Sequence, residues 1–448
     1  MNRTLESLSA ALLNAARAAG AEAADAIVIS STSISTDVLN GRLEHAERSE
    51  GTDIGLRVLI GQRQACVSAS DTSADTITTM AERAVIMARA APVDDSIGLA
   101  TPGQLAQNRD AAALDLFDPA DEPDPSTLQE TAERAEAAAL AVKGISQVES
   151  ASTGYGRRLI HLAASNGFSG GYQRSSIYSS CVAITGTGTD MERDYYGDGR
   201  VYASDLESPE HIGKMAAERT LARAHSRQPP SGTYPVLYDE RISSSLISHL
   251  LAAVNGSAIV RGSSWLRDAL GQQILPTGLS LTEDPLRPRT SGSRPFDAEG
   301  LPSARRNIID NGVLTGWTLD LATARKLNMQ STGNASRGPS APPSPGISNV
   351  SLTQSEKSRN DLIRDMGTGL LITSLIGSTI NPTTGDYSRG AAGFWVEGGE
   401  IRYPVNECTI AGNLRDMLLT LTPANDARPH LSRVVPSLLV EGLTIAGA

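Results

Sequence analysis

Residues 23–70 constrain the fold more than any other stretch of this chain, because apolar and polar residues alternate along most of it. Alternation with a period of two is typical of strands that bury one face and expose the other. Asn40 with Gly41, and later Gly61, interrupt the alternation at places suited to tight hairpin turns. The pattern therefore predicts three or four antiparallel strands.

Helical patterns surround this segment. The apolar spacing predicts one helix that ends near Gly20 and a second over residues 73–90. A third is expected between residues 124 and 144, where Asp124 can cap it, and a fourth begins at Ser208. Because these helices do not alternate one for one with strands, the sequence predicts an α+β fold with helices packed on antiparallel strands.

The chain has 448 residues, which is too long for one typical core. We place a linker at residues 226–233, which contain the sequence RQPPSG. This gives an N-terminal α+β domain at 1–225 and a strand-rich domain at 234–448, expected to be barrel-like or a sandwich. A proline cluster at residues 339–345 predicts a rigid exposed loop.

Charge and cysteine content narrow the function classes. The net charge of -11 disfavours direct contact with nucleic acid or anionic lipid. No apolar run is long enough for a membrane span, and the N-terminus has the pattern of an amphipathic helix rather than a signal peptide. The cysteines, Cys66, Cys181 and Cys408, are odd in number and widely spaced. We therefore expect a cytoplasmic protein without disulfides.

The sequence has no recognisable metal motif and no recognisable nucleophile elbow between a strand and a helix. No two of the six histidines have a spacing that would place them on one helix face, and HExxH does not occur. His249 lies on an expected helix that Asp239 caps and that ends at Gly256. By itself it is better explained as a packed or solvated histidine than as a ligand. A zinc site assembled from distant residues stays open.

The glycine-rich residues 367–393 are more informative. Residues 370–377 predict a short buried strand, and tight turns are expected at Asn381, at Gly385 and at Gly390. No helix follows that would complete a phosphate-binding loop. Glycines also permit close approach of another backbone, so the segment suits contact with an extended peptide. Composition alone favours the simpler alternative, a set of hairpin turns.

Several segments resemble the TldE/PmbA branch of the TldD/PmbA metalloprotease family, also named modulators of DNA gyrase. The longest, TGDYSRGAAGFWVEGGEIRYPVNECTIAGNLRDM, is highly specific and occupies residues 384–417. The others follow the family order at residues 50–63, 261–274, 293–300, 331–337 and 436–447. The resemblance covers nearly the whole chain.

The resemblance implies a two-subunit cytoplasmic protease that cuts unfolded or extended peptides. In the TldD-type subunit a helix carries HExxxH, whose histidines hold a metal and whose glutamate activates water. This chain has SSLISH there, so Ser244 and Ser245 replace the first histidine and the glutamate, and only His249 remains. Serine is a weak ligand and a poor base. The family cysteine ligand near the C-terminus is also missing. We therefore expect no metal and no catalytic residue in this chain.

The leading hypothesis is a metal-free, non-catalytic subunit that supplies part of a substrate chamber to a TldD-like, zinc-carrying partner. Residues expected to contact peptide or partner are Gly385, Asp386, Tyr387, Ser388, Arg389, Gly390, Phe394 and Trp395. One alternative is an independent hydrolase that uses Asp386, Ser388 and Arg389. Another is an interaction protein that modulates gyrase indirectly. Whether the isolated chain forms a homodimer, and whether it has activity of its own, stay open.

Overall fold

The structure is a computed structural model, and it describes residues 4–447. Its N-terminal half contains one antiparallel sheet and four long helices. The strands are β1 (Ala23–Leu39), β2 (Arg42–Ile60), β3 (Arg63–Ala69), β4 (Ile145–Ala164), β5 (Ser169–Thr185) and β6 (Glu192–Arg200). The helices are α1 (Leu5–Ala18), α2 (Ala74–Ala90), α3 (Pro125–Leu140) and α4 (Pro209–Ala222). Among the described residues no helix combines the length and the apolarity that a membrane crossing needs.

The six strands of this sheet lie in the order β3-β2-β1-β4-β5-β6. The helices α1 and α2 pack on β1–β3 through residues such as Leu12 and Val85, and α3 and α4 pack on β4–β6 through Ile212. The predicted helix starts are confirmed, because Ser73, Asp124 and Ser208 cap α2, α3 and α4 with their side chains. The predicted strands within residues 23–70 are likewise confirmed as β1, β2 and β3.

The C-terminal half is richer in strands. They are β7 (Gly232–Tyr238), β8 (Leu281–Glu283), β9 (Arg306–Asp310), β10 (Val313–Leu314), β11 (Ala335–Ser336), β12 (Ser344–Pro345), β13 (Val350–Leu352), β14 (Gly369–Ile380), β15 (Asp386–Glu397), β16 (Glu400–Asn413), β17 (Thr422–Pro423), β18 (Arg433–Val434) and β19 (Leu438–Ala446). The helices are α5 (Glu240–Ala253), α6 (Gly256–Val260), α7 (Leu321–Lys326), α8 (Arg359–Met366) and α9 (Leu414–Leu419).

Five of these strands close into a barrel. The order β16-β15-β14-β7-β19 is completed by pairing of β16 with β19 from Thr409 to Ala411. A second sheet, β10-β9-β8-β13-β18, packs into the same core, which contains Leu281, Ile309 and Val350 together with barrel residues such as Ile410. The α+β class is therefore confirmed, and the C-terminal architecture is a barrel.

One barrel strand has an open edge. β14 pairs with β15 along most of its length, whereas within the described chain its pairing with β7 is confined to Leu370–Ile372. The backbone from Thr373 to Ile376 therefore has no neighbouring strand on that side. The strand expected at residues 370–377 is confirmed, and its burial holds for Leu370–Thr373, but β14 extends to Ile380 and Ile376 is 66% exposed. The hairpin with β15 continues past the barrel wall, which allows this extension.

The loop after β11 joins the two halves. Arg337 inserts a fully buried side chain and pairs with Asp25 of β1, and Pro339 lies against Gly55 of β2. Pro339 begins the proline cluster, so part of the loop predicted to be exposed contacts the sheet. β7 begins at Gly232, inside the predicted linker, because Gly232 and Thr233 pair with β19. The division into domains at residues 226–233 stays a prediction.

Candidate functional site

The helix α5 follows directly from the barrel strand β7. Asp239 caps it by accepting a hydrogen bond from the Arg241 backbone N–H, at 3.3 Å. Leu246 and Leu250 anchor the helix in the barrel core, where both are fully buried. With these apolar residues directed inward, another side of the helix lines a cleft with the hydroxyl-bearing residues Ser244, Ser245 and Ser248.

This cleft, here called the serine–arginine cleft, has a volume of about 730 Å³ and lies between the N-terminal sheet and the barrel. The sheet contributes Val182 and Asp194, and β14 contributes Leu375 at its open edge. Its charged lining residues are Glu149, Arg193, Asp194, Arg223, Arg241, Arg389 and Arg433. The cleft therefore brings together the SSLISH helix and part of the glycine-rich segment.

A network of ion pairs fixes the two walls of the cleft relative to each other. Asp194 of β6 is buried and accepts from Arg241 of α5, with N–O distances of 3.0 and 3.2 Å. Arg223 also approaches Asp194, at 3.8 Å, and lies 3.5 Å from Glu192. Separating α5 from the sheet would leave the buried Asp194 carboxylate without its guanidinium partners, which is costly. This network therefore holds α5 against the sheet.

His249 lies on α5 next to the cleft. Its ring packs edge-to-face on Tyr387 of β15, with the centroids 5.9 Å apart. Its Nε2 atom is buried and has no hydrogen-bond partner among the described residues. Burial, and then the positive charge of Arg389, lower the pKa of His249, so the imidazole is neutral at physiological pH.

These residues do not fit a metal ion. His249 offers a buried ring nitrogen, but Ser244 and Ser245, about one turn earlier on α5, offer only hydroxyls. In the described part of the chain, no three His, Cys, Asp or Glu side chains converge in a way that could hold a metal.

The glycine-rich segment forms a loop followed by a strand. The Asn381 side chain accepts hydrogen bonds from the backbone N–H groups of Thr383 and Thr384, and Gly385 has a φ of 85°, so tight turns occur there as expected. The turn expected at Gly390 is wrong. Gly390 lies inside β15, paired with Thr409 on one side and Ile376 on the other.

The contact candidates of this segment differ in accessibility. Tyr387 and Trp395 are 2% and 4% exposed, and Trp395 packs edge-to-face on Tyr234 within the core. Arg389 lines the serine–arginine cleft, and Phe394 lines a neighbouring cleft of about 580 Å³. Asp386 is exposed. Of the aromatic candidates, only Phe394 is therefore placed where a peptide or partner could reach its side chain.

Asp386, Ser388 and Arg389 do not converge. Strand alternation places Asp386 and Ser388 on one face of β15 and Arg389 on the other. The Asp386 carboxylate accepts from Thr384 Oγ1 at 2.6 Å and from Asn413 Nδ2 at 3.1 Å, and these bonds lower its pKa. Its role in the structure is to hold the loop closed.

Sequence reasoning missed the parts of the cleft that come from distant segments. Arg433, near the C-terminus, donates to Ser248 Oγ of α5, and Asp194 reaches the cleft from the N-terminal sheet. Neither residue lies in a motif, and only the pairing of the strands brings them to the helix. The open edge of β14 also had no sequence signal, since it depends on where β7 stops pairing.

Family models match most of the chain. Residues 24–88 match domain 1 of the PmbA/TldA metallopeptidases, residues 118–224 their central domain, and residues 231–447 their C-terminal domain. The chain is 40% identical to the metalloprotease PmbA of Escherichia coli O157:H7, over 99% of this chain and 96% of that protein. It is 36% identical to the PmbA homologue of Haemophilus influenzae, over 96% and 93%.

Solved structures have the same fold. A Bacteroides thetaiotaomicron protein described as a candidate modulator of DNA gyrase superposes with a TM-score of 0.91 at 28% identity, covering 99% of this chain and 100% of that chain. TldE from Thermococcus kodakarensis superposes with a TM-score of 0.85, covering 98% and 100%, and its identity of 21% supports similarity of fold alone.

Proposed function

Because this chain belongs to the PmbA/TldD metallopeptidase family, we propose that it is a metal-free, non-catalytic subunit of a two-chain TldD/TldE-type metalloprotease. In this proposal the chain contacts unfolded or extended peptides, and a TldD-like partner carries the zinc and performs hydrolysis. The cytoplasm is the proposed location, and the isolated chain can be either a monomer or a homodimer.

The observation that carries this proposal is the composition of α5. At the positions that the resemblance assigns to the first metal-binding histidine and to the glutamate base it has Ser244 and Ser245, and the ring of His249 packs on the Tyr387 ring. Hydrolysis by a metal-bound water needs a metal held by several ligands and a base that accepts the proton. Serine hydroxyls provide neither at neutral pH, which supports a role without catalysis.

The open edge of β14 supports the peptide-contacting role. An extended peptide can add to an unpaired strand through backbone hydrogen bonds, which do not depend on its side chains. Thr373 and Ile376 lie on this edge and line the serine–arginine cleft, so a bound peptide would run beside α5. Recognition by backbone bonds suits a protease that accepts unfolded chains of many sequences.

The test is co-purification with a TldD-like partner, followed by measurement of zinc in each separated chain and of hydrolysis of an unfolded peptide. We expect zinc in the partner only, and hydrolysis only when both chains are present. A partner with its metal-helix glutamate replaced by Gln is the matched control and should assemble without activity. Zinc at one equivalent together with hydrolysis by the lone chain would refute the proposal.

The two alternatives have less support. The hydrolase hypothesis needs Asp386, Ser388 and Arg389 to act together, whereas β15 directs Ser388 and Arg389 to opposite faces. The gyrase hypothesis rests on the description of similar structures, and the net charge of -11 argues against contact with DNA. A pull-down that recovers gyrase but no TldD-like chain would favour it over a protease subunit.

A further inference from the structure

The charges of the serine–arginine cleft are not balanced. Glu149 is paired with Arg193 at 2.8 Å, and Asp194 is paired with Arg241 and Arg223. Among the described residues that line the cleft, the carboxylates are Glu149 and Asp194, and both form ion pairs with these arginines. Arg389 and Arg433 line the same cleft and have no carboxylate partner within residues 4–447. A chain of net charge -11 thus has a locally cationic cleft.

Both unpaired arginines are held in position by uncharged groups. Arg389 Nε donates to the Gly377 carbonyl at 2.7 Å, which fixes one edge of the guanidinium. Arg433 donates to Ser248 Oγ, and Ser248 Oγ donates in turn to the Ser244 carbonyl at 2.6 Å. A guanidinium fixed in this way loses little freedom when a carboxylate binds, and its planar fork matches two carboxylate oxygens.

The serine side of the cleft also has an unused polar group. Ser245 Oγ is buried and has no hydrogen-bond partner among the described residues. A buried hydroxyl without a partner is unfavourable, and a ligand oxygen in the cleft would remove that cost. A hydroxyl donor in a cleft that Arg389 and Arg433 also line suits an anionic oxygen better than an apolar or cationic group.

Resting on the peptide-contacting function proposed above, we propose that the serine–arginine cleft binds a carboxylate of the peptide through Arg389 and Arg433. The carboxylate is either an acidic side chain or the C-terminal group, because a peptide on the open edge of β14 can present both beside Ile376. The β14 edge alone binds the backbone of any peptide, and the cleft beside it adds a preference for acidic peptides.

The test uses fluorescence anisotropy of labelled unstructured peptides with the isolated full-length chain. One pair of peptides differs by internal Glu or Gln, and a second pair differs by a free or amidated C-terminus. We expect the carboxylate-bearing member of at least one pair to bind about tenfold more tightly, by an amount that shrinks as salt rises. The pair that responds identifies the source of the carboxylate.

Substitutions separate charge recognition from folding. Arg389→Gln and Arg433→Gln should each reduce the preference about fivefold while the affinity for the neutral peptide stays constant. Arg389→Lys keeps the charge but loses the fork, so it should retain only part of the preference. Arg83→Gln, on the exposed side of α2, is the matched control and should change nothing. The thermal midpoint of each variant verifies that it is folded.

The outcomes distinguish the two proposals. Peptides that bind with equal affinity whatever their charge would overturn the carboxylate site and leave the peptide-contacting function intact. Binding of no peptide by the chain, alone or with its partner, would overturn both. A single-stranded oligonucleotide that binds more tightly than the acidic peptides, and loses affinity in the Arg389→Gln variant, would assign the cleft to phosphodiesters instead.

Discussion

The ring of His249 packs edge-to-face on the ring of Tyr387, with 5.9 Å between the centroids. His249 ends the SSLISH segment of α5, and Tyr387 lies in the glycine-rich segment that begins β15, 138 residues later in the chain. Because β14 and β15 form the barrel wall beside α5, two segments that stand out separately in the sequence form one site. The histidine is packed on an aromatic ring there.

Replacing His249 by Phe should stabilise the protein, and more so at acidic pH. Phe keeps the ring contact with Tyr387 and removes the buried, unpartnered Nε2 atom. We expect this removal to raise the free energy of unfolding by about 1 kcal/mol. The pKa of His249 is lowered in the fold, below the ordinary 6.5, so the wild-type protein loses stability as pH falls below 6.5. Urea unfolding from pH 5 to pH 7.5 measures the difference between the two proteins.

The control for this prediction is His45→Phe, since His45 is exposed on β2 and its substitution removes no buried polar atom, so it should give no gain in stability. A variant at position 249 that is less stable than the wild type would contradict this prediction, and one that reduces the zinc content of the two-chain complex would show that the imidazole nitrogen has a ligand role.

The elements set by local chemistry were predictable. Ser73, Asp124 and Ser208 mark helix starts because a side-chain oxygen, or a proline at the first turn, acts within a few residues. Gly390 shows the limit of such reasoning. Glycine permits a turn but also close packing of strands, and only the register with Ile376 and Thr409 decides between them. Arg433 could not be predicted as part of the cleft, because its position depends on long-range pairing.

Removal of the Asp25 charge should destabilise the junction between the two halves strongly. Asp25 pairs with Arg57 and with Arg337, and the three side chains are at most 4% exposed. Burial raises the pKa of Asp25, but the two guanidinium groups outweigh it and leave the pKa below its usual value. Asp25→Asn leaves two buried cations without a counter-charge and should cost about 3–5 kcal/mol.

Chemical denaturation of Asp25→Asn beside Asp121→Asn measures this cost. Asp121 is exposed in the loop before α3, so its variant should lie within about 0.5 kcal/mol of the wild type. A loss below about 1 kcal/mol for Asp25→Asn would mean that water reaches Arg57 and Arg337, and that the junction is looser than its burial indicates.

A methyl group at Gly55 should also disturb the junction, for a steric reason. A Cβ atom at this position would lie 2.3 Å from the Pro339 carbonyl oxygen and 2.5 Å from its Cα. Both contacts involve backbone, so the loop that carries Pro339 would have to move. We expect Gly55→Ala to lower the free energy of unfolding by about 1–3 kcal/mol, measured by urea titration.

Gly51→Ala is a control on the same strand, since a Cβ there would meet nothing within 4 Å. It should be neutral or slightly stabilising, as is usual when alanine replaces glycine without strain. Equal effects of the two substitutions would mean that Gly55 matters through strand propensity and that Pro339 does not dock on it.

The carboxyl group of Glu299 should make the stability of the protein fall as pH rises. Burial raises its pKa to about 8, and the charges of Asp297 and Asp320 add to this effect. In the unfolded chain the group titrates near the ordinary value of 4.5. Between these two values the folded protein therefore holds one proton more than the unfolded chain. Each rise in pH then favours unfolding, and this contribution levels off above pH 8.

Glu299→Gln removes this dependence while an amide oxygen can still accept the bond that Leu321 N–H donates to Glu299 at 2.9 Å. Relative to the wild type, we expect the variant to gain stability from pH 5 to pH 8, by about 1 kcal/mol per pH unit. Glu130→Gln, at an exposed position of α3, is the control and should lie within about 0.5 kcal/mol of the wild type. A difference in unfolding free energy between Glu299→Gln and the wild type that stays constant with pH would mean that the carboxyl group is ionised in the fold. Arg57, whose charge lowers the pKa of Glu299, would then balance the carboxylate.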